Sequence, residues 1–171
     1  MIWLFEINRK GLAEDYGASR RAVNRATKRL FEEIGQYWQE MFLPLHFVQG
    51  AREVYRYQPR QDKYKKYKRE VLYPKGKAIA PDTDLVKSGR SRQDLERPAA
   101  IRAYPTRFSV TMRADAKYFQ MRPYKSKHPA MGKEVTTVTA AESNELARLG
   151  QERLPILIAE ENQRTSSRKR L

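Results

Sequence analysis

The chain has no cysteine among its 171 residues, so disulfides and thiolate metal sites are excluded and redox compartment cannot be read from it. Histidine is nearly as scarce. His46 and His128 are the only two, and neither has a metal-ligand spacing such as a second histidine one helical turn away. His46 adjoins Phe47 and suits a structural hydrogen bond, while His128, before Pro129, reads as a surface residue. Glycine occurs only eight times, and no glycine-rich phosphate loop, nucleophile elbow or paired-carboxylate motif appears. Asp82-Thr83-Asp84 offers a hard cation two carboxylates but no third ligand, and reads as a polar loop. The expectation is a non-enzymatic protein without catalytic, cofactor or metal residues. A metal-dependent nuclease using Asp82, Asp84 and His46 is the weakest alternative. Long apolar runs are also missing. Ile2 to Ile7 (IWLFEI) is too short for a membrane span or signal peptide and has no basic region before it, so a soluble, unprocessed chain without a membrane partner is expected.

What the chain has in excess is positive charge: 35 lysines and arginines against 20 acids, a formal +15. That balance attracts polyanions or acidic protein surfaces and says nothing about fold. About half of the excess lies between Arg52 and Arg92, where thirteen bases meet five acids. Within it, His46 to Arg69 threads four tyrosines through eight bases and two acids. Tyrosines interleaved with bases can stack on exposed nucleobases while the cations follow a phosphate backbone. They can equally be amphipathic anchors at the edge of a core or subunit interface. In an extended segment Tyr55 and Tyr57 would share one face. In a helix Tyr57, Tyr64 and Lys68 would approximate a stripe, which Pro59 interrupts.

The length suits one domain, here 1–163 with an irregular basic loop region around 46–100, followed by a basic tail, 164–171, expected to be flexible. Ile2 to Ile7 reads as a strand. From Ser19 to Phe42, Val23, Ala26, Leu30, Ile34, Trp38 and Met41 recur at helical spacing, with Ser19 as N-cap and Pro44 as the stop, giving a helix about 36 Å long. Its charge order opposes the helix dipole: Arg20, Arg21, Arg25, Lys28 and Arg29 come first, Glu32, Glu33 and Glu40 later. Either this is a solvated face or something acidic is met there. Glu70 to Tyr73 reads as a strand end, and Pro74 to Asp84 as an irregular loop. Ile101 to Tyr104 and Arg107 to Arg113 alternate with period two around Pro105-Thr106, as a hairpin or one bent strand. Tyr118 to Tyr124 reads as an edge strand or loop, Lys125 to Gly132 as a loop, and Glu134 to Thr139 as an edge strand. Thr139 with Glu142 makes a capping-box pattern for a C-terminal helix that carries Leu146, Leu149, Leu154, Leu157 and Ile158, and that Pro155 either kinks or divides.

The order of residues adds to their type. The series Trp38, His46-Phe47, Gly50-Ala51, Tyr55-x-Tyr57-x-x-Arg60, Tyr64 and Lys68, followed by Leu85-Val86-x-Ser88-Gly89, resembles tailed-bacteriophage virion-morphogenesis proteins of the neck and tail-completion (tail terminator-like) type. The likeness covers about residues 38 to 90. It implies an α/β (α+β) fold in which a long N-terminal helix packs on a mainly antiparallel sheet, with a C-terminal helix. It further implies a structural, cofactor-free virion subunit of the head-to-tail connection, assembled in the host cytoplasm as a homo-oligomeric ring, expected to be sixfold. Its neighbours would be portal, adaptor or stopper proteins and the tail tube. On this reading His46, Phe47, Tyr55, Tyr57, Arg60, Tyr64, Lys68, Leu85, Val86, Ser88 and Gly89 meet subunits or partners. Arg20, Arg21, Arg25, Lys63, Lys65, Lys66, Arg90 and Arg92 are expected to face channel DNA or an acidic neighbour. Family members carry an apolar residue soon after the Ser-Gly, where this chain has Arg90-Ser91-Arg92 before Leu95. The alternative is a free, non-enzymatic nucleic-acid-binding protein.

Overall fold

The computed structural model describes residues 9–78, 83, 90–110 and 134–167. The expected strand at Ile2 to Ile7, the Leu85 to Gly89 turn, the stretch 111–133 with His128, and the last four residues of the tail lie outside them. The fold is α+β: a long N-terminal helix packs on a small two-stranded antiparallel sheet and on a C-terminal helix. The sequence reading expects one domain; the contacts divide the chain into two compact units. Among the described residues the first holds 9–38, 101–109 and 140–167, and the second 39–78, 83, 90–100, 110 and 134–139.

In the first unit, α1 (Arg9–Asp15) leads into α2 (Arg20–Tyr37). Ser19 caps α2 as the sequence predicts, its hydroxyl accepting the Ala22 N–H at 3.2 Å. The apolar stripe of α2 is buried along its length at Ala22, Val23, Ala26, Leu30, Phe31 and Ile34, and Trp38 continues it. It packs against β1 (Ile101–Tyr104), which forms a hairpin with β2 (Arg107–Val110), and against α6 (Ala140–Ser167). The Pro105-Thr106 break is therefore a hairpin turn. Trp38 and Phe108 meet with ring centroids 6.4 Å apart and planes tilted by 44°. Gly35 permits this approach: a Cβ there would lie 2.6 Å from Ile101 Cγ2 and 3.1 Å from the Phe108 ring.

Helix α6 begins immediately after Thr139 and runs unbroken through Pro155, settling the choice between one helix and two. The carbonyl that loses its partner is that of exposed Gln151, where water can satisfy it.

The charge order of α2 is explained by α6. Arg25 reaches Glu161 at 2.7 Å, and Arg29 reaches Glu160 at 2.9 Å and Glu161 at 3.2 Å. Further along α2, Glu33 takes Arg153 at 2.8 Å and the Tyr37 hydroxyl donates to Glu145 at 3.2 Å. As numbers rise along α2 they fall along α6, so the helices run antiparallel. The early bases of α2 meet the late acids of α6, where the opposed helix dipoles also complement one another. The acidic partner lies within the chain.

In the second unit the helix of α2 continues as a π turn, Trp38–Phe42 (its first residue closing the first unit), and a 3₁₀ turn, Leu43–Phe47, which contains Pro44. Next come α3 (Ala51–Tyr55), α4 (Asp62–Tyr67) with a π turn over Lys68–Leu72, α5 (Arg90–Glu96) and a 3₁₀ turn at Pro98–Ala100. Buried Gln39 donates its amide to the carbonyls of Leu95 and Arg97, tying the first turn to the end of α5. Two expectations are corrected. Glu70 to Leu72 is helical, with Tyr73 as its C-cap, because Tyr64, Lys68 and Leu72 recur four apart and continue α4, burying Lys68 and Leu72. Glu134 and Val135 form a helical turn in place of an edge strand, since both are buried and Glu134 is bound to Arg60.

Candidate functional site

The segment from His46 to Arg69 is divided between an aromatic core and a cationic rim. At its centre, His46 lies flat on Tyr55, with centroids 3.7 Å apart and planes 18° apart. Tyr57 stacks beside Tyr55 at 5.7 Å and its hydroxyl is hydrogen bonded to His46 Nδ1. All three rings are buried. They converge because α3 ends at Tyr55 and Arg56 turns the chain in the left-handed region, φ 54°, so that the Tyr57 N–H returns to the Arg52 carbonyl at 3.2 Å. Tyr55 and Tyr57 thus share a face through a helix cap, and not through the extended segment. Burial pushes the His46 imidazole down to about 4, which keeps it neutral at physiological pH.

Arg60 closes one side of this core. Its guanidinium meets Glu134 at 2.6 and 3.2 Å, and Glu134 Oε1 also accepts the Gln58 N–H at 2.9 Å. Both charged residues are less than a tenth exposed. Arg92 reaches Glu96 at 2.6 Å and lies over the Phe47 ring, 5.9 Å from its centroid. Lys68 is 3% exposed and donates to the Thr83 carbonyl at 2.6 Å.

These placements revise the set of interface residues. His46, Phe47, Tyr55, Tyr57, Arg60 and Lys68 are buried within the second unit, so they organise it and do not meet a neighbour directly. Tyr64 is the one aromatic of that set on the surface, 39% exposed. Leu85, Val86, Ser88 and Gly89 lie outside the described residues, as do Asp82, Asp84 and the side chain of Arg90. Among the expected polyanion contacts, Arg20 and Arg21 are exposed at the start of α2, and Lys63 and Lys66 on α4. Arg25 is held by Glu161, and half-buried Lys65 lies 3.6 Å from Asp62.

Beside the aromatic core is a cavity of about 410 Å³. Among the described residues its lining carries Arg52, Lys65, Lys68 and Arg69 besides the Glu134-bound Arg60, and one carboxylate, Glu53. Tyr64 stands at the same lining. Four of these residues, Tyr64, Lys65, Lys68 and Arg69, fall at helical spacings of one, four and five, so α4 and its π extension present them together. Such a lining favours anionic groups, most strongly inside a concave wall where solvent screening is reduced. In the sequence Arg52 stands out only with Arg56 and Arg60, as one face of an extended segment, and Arg69 and Glu134 carry no site role. Arg69 has a local signal, one turn beyond Lys65; Glu134 has none, lying 74 residues from Arg60. Among the described residues no group of three histidines or acids is close enough to hold a metal ion. Nor is any helix among them long and apolar enough to cross a membrane.

The architecture is that of a strongly basic α+β protein in which an aromatic core supports a cationic pocket. Comparisons with models of known protein families, with curated proteins and with solved structures each returned no match.

Proposed function

We propose that this chain is a non-enzymatic structural subunit of the head-to-tail connection of a tailed bacteriophage, of the neck or tail-completion type, acting as a homo-oligomeric ring in the virion. Gly50 and Tyr64 of the resembling series are exposed, and the observation that carries this reading is the packing of its other described members in the second unit, His46, Phe47, Ala51, Tyr55, Tyr57, Arg60 and Lys68. All of these residues are buried in one unit, through the ring stack, the Arg60–Glu134 pair and the Lys68–Thr83 bond. A spacing pattern that specifies a core is a stronger sign of shared fold than one made of surface residues, because each position answers to packing constraints.

The ring contact then falls to surface residues. Met41, Leu45, Val48 and Val54 expose large apolar side chains within fourteen residues of the second unit. Scattered exposed apolar groups are ordinary, but this density suits a subunit contact. Portal-side and tail-tube proteins are the expected neighbours above and below the ring. Native mass spectrometry and negative-stain microscopy test the reading: the expected species is a ring of about six 20.1 kDa chains. Met41→Glu with Val54→Glu should dissociate it. A chain that stays monomeric at every concentration, alone and beside its virion partners, refutes the assignment.

A second reading, a free nucleic-acid-binding protein, draws on the cationic pocket. Loss of virion assembly in a deletion strain, together with no measurable DNA affinity, would sink it.

A further inference from the structure

We infer that the end of α6, residues 159–167, is an electrostatic strap, clasped to α2 through the Glu161 carboxylate and opening as a unit when that carboxylate is neutralised, while the rest of α6 stays packed. The inference concerns the first unit alone and holds for the chain as a ring subunit or by itself.

Three observations converge on it. First, the segment has no apolar anchor. The last buried apolar side chains of α6 are Leu157 and Ile158, and beyond them the sequence AEENQRTSS supplies only the exposed Ala159. Apolar burial, which usually holds a helix to its neighbour, therefore ends at Ile158. Second, the segment is a poor helix by itself. Asn162, Thr165, Ser166 and Ser167 have low helix propensity, and the last three turn their hydroxyls back to the carbonyls of Glu161, Asn162 and Gln163, bonds that weaken a helix.

Third, the fastening is ionic and centred on one buried carboxylate. Glu161 is 3% exposed and gathers Arg25 at 2.7 Å and Arg29 at 3.2 Å from α2, with Arg164 at 3.0 Å from its own helix. Arg29 also reaches Glu160 at 2.9 Å, and Arg25 donates to the Thr165 hydroxyl at 2.7 Å. Arg21, Lys28 and Glu32 of α2 are the further charged groups that line a cavity with Glu161. Once Glu161 is neutral, exposed Arg25 and half-buried Arg29 gain more from water than from a weak acceptor, and the segment recovers its chain entropy. Opening leaves both bases uncovered near exposed Arg20 and Arg21, so the strap sets how much positive charge the first turns of α2 present. Burial pushes the Glu161 carboxyl up, but the hydrogen bonds from Arg25 and Arg29 outweigh it. The strap is therefore closed above the ordinary carboxylate range and opens as pH falls through the lower folded value.

The test is hydrogen exchange with mass spectrometry on the full-length chain, comparing peptides from 159–167 with peptides from 141–158 of the same helix. Near pH 7, Glu161→Gln should lower protection of 159–167 about tenfold or more and change 141–158 less than about twofold. Arg25→Ala with Arg29→Ala, made on the other helix, should open the same segment. Glu152→Gln, whose carboxylate pairs with Arg148 on the exposed side of α6, should change neither. In the native chain, acidification to about pH 3.5 should open 159–167 ahead of 141–158, once intrinsic exchange rates are corrected for. Equal losses in the two sets of peptides would overturn the strap, because 159–167 would then belong to one cooperative helix. So would protection of 159–167 that neither Glu161→Gln nor the α2 pair alters, or a native segment already unprotected at pH 7. Where a variant fails to fold, the acid titration of the native chain decides by the same comparison. None of these outcomes bears on whether the chain forms a ring.

Discussion

The pair Arg60–Glu134 should be the most sensitive point of the second unit. Glu134 accepts three hydrogen bonds, two from the Arg60 guanidinium at 2.6 and 3.2 Å and one from the Gln58 N–H at 2.9 Å. Arg60 has one further acceptor, the Gln58 carbonyl at 3.2 Å. Glu134→Leu leaves a guanidinium that is 8% exposed with that carbonyl alone, and the expected cost is about 3 to 5 kcal/mol. Arg60→Met leaves the carboxylate with one backbone donor. Its cost should be about 3 kcal/mol. Removing both charges should cost less than about 2 kcal/mol. The Gln58 backbone belongs to an exposed residue, so water can replace its lost partners, and two apolar side chains occupy the vacated space. The cycle of singles and double should therefore give a coupling energy of about 3 kcal/mol or more, far above the ~0.2–1 kcal/mol of surface pairs. Hydrogen exchange read at Tyr57 and Tyr73, with Leu30 as the reference in the first unit, measures the loss locally and does not require that both units unfold together. Singles that each cost under about 1 kcal/mol, or a double equal to their sum, would refute the view that this pair holds residues 58–60 to residue 134.

Three other perturbations follow from the geometry. Gly35→Ala gains about 1 kcal/mol of helix propensity, but its Cβ would stand 2.6 Å from Ile101 Cγ2 and 3.1 Å from a Phe108 ring already fixed against Trp38; overpacking should win by about 1–2 kcal/mol, seen as a lower melting temperature. Arg56→Gly should stabilise by about 0.5–1 kcal/mol, because glycine adopts φ 54° without the penalty that arginine carries, and an unchanged or lower urea midpoint would mean that the arginine side chain makes up the difference. Acid should weaken both units, in different windows. Burial lowers the His46 imidazole from 6.5 to about 4, so below pH 6.5 the unfolded chain binds a proton that the folded chain refuses; stability is full above that pH and falls by about 3 kcal/mol on reaching pH 4. Burial pushes the Glu161 carboxyl up, but the hydrogen bonds from Arg25 and Arg29 outweigh it and hold the group below its ordinary value. Its contribution is present above the unfolded carboxylate value and is lost as pH falls through the lower folded one. Urea titrations near pH 7 and pH 5 should show the first loss in the native chain and not in His46→Gln, and the second only at lower pH.

Local signals in the sequence were legible where a single element determines them. The α2 stripe has a 3.6-residue period because one face meets a core, and Ser19 caps its helix through a bond three residues away. The strands at Ile101 to Tyr104 and Arg107 to Val110 follow from alternation, which left a hairpin and a bent strand equally open at Pro105-Thr106. What escaped depended on distant partners. Glu134 to Thr139 has β-branched residues and strand propensity, yet no neighbouring strand pairs with it among the described residues, and Arg60 fixes its first residue in a helical turn. The tyrosines illustrate the limit most clearly, since Tyr55, Tyr57, Tyr64 and Tyr67 look alike in composition. The first two are buried by the reversal at Arg56, whereas the last two lie on α4 and are exposed. A conformation set at one non-glycine residue decides which aromatics are core and which are surface.

That division bears on how a basic chain of this size can remain specific. Charge spread evenly over a surface attracts polyanions at any orientation, with affinity that salt removes. Here much of the charge of the first unit is matched internally, with Arg25, Arg29 and Arg164 gathered on Glu161 and Arg153 on Glu33. In the second unit Arg60 is matched by Glu134 and Lys65 lies near Asp62, while Arg52, Lys65, Lys68 and Arg69 share the lining of one cavity with Glu53. Cations gathered on one concave lining give a preferred orientation toward an anionic partner. The aromatic core fixes that orientation, because the ring stack on His46 sets where α3 ends and the Lys68–Thr83 bond anchors the π extension of α4. Softening the core should therefore reduce polyanion binding without removing any cation. His46→Ala is the variant in which to look for it: if it keeps its fold by circular dichroism and binds oligothymidylate as tightly as the native chain, the core has no part in positioning the pocket.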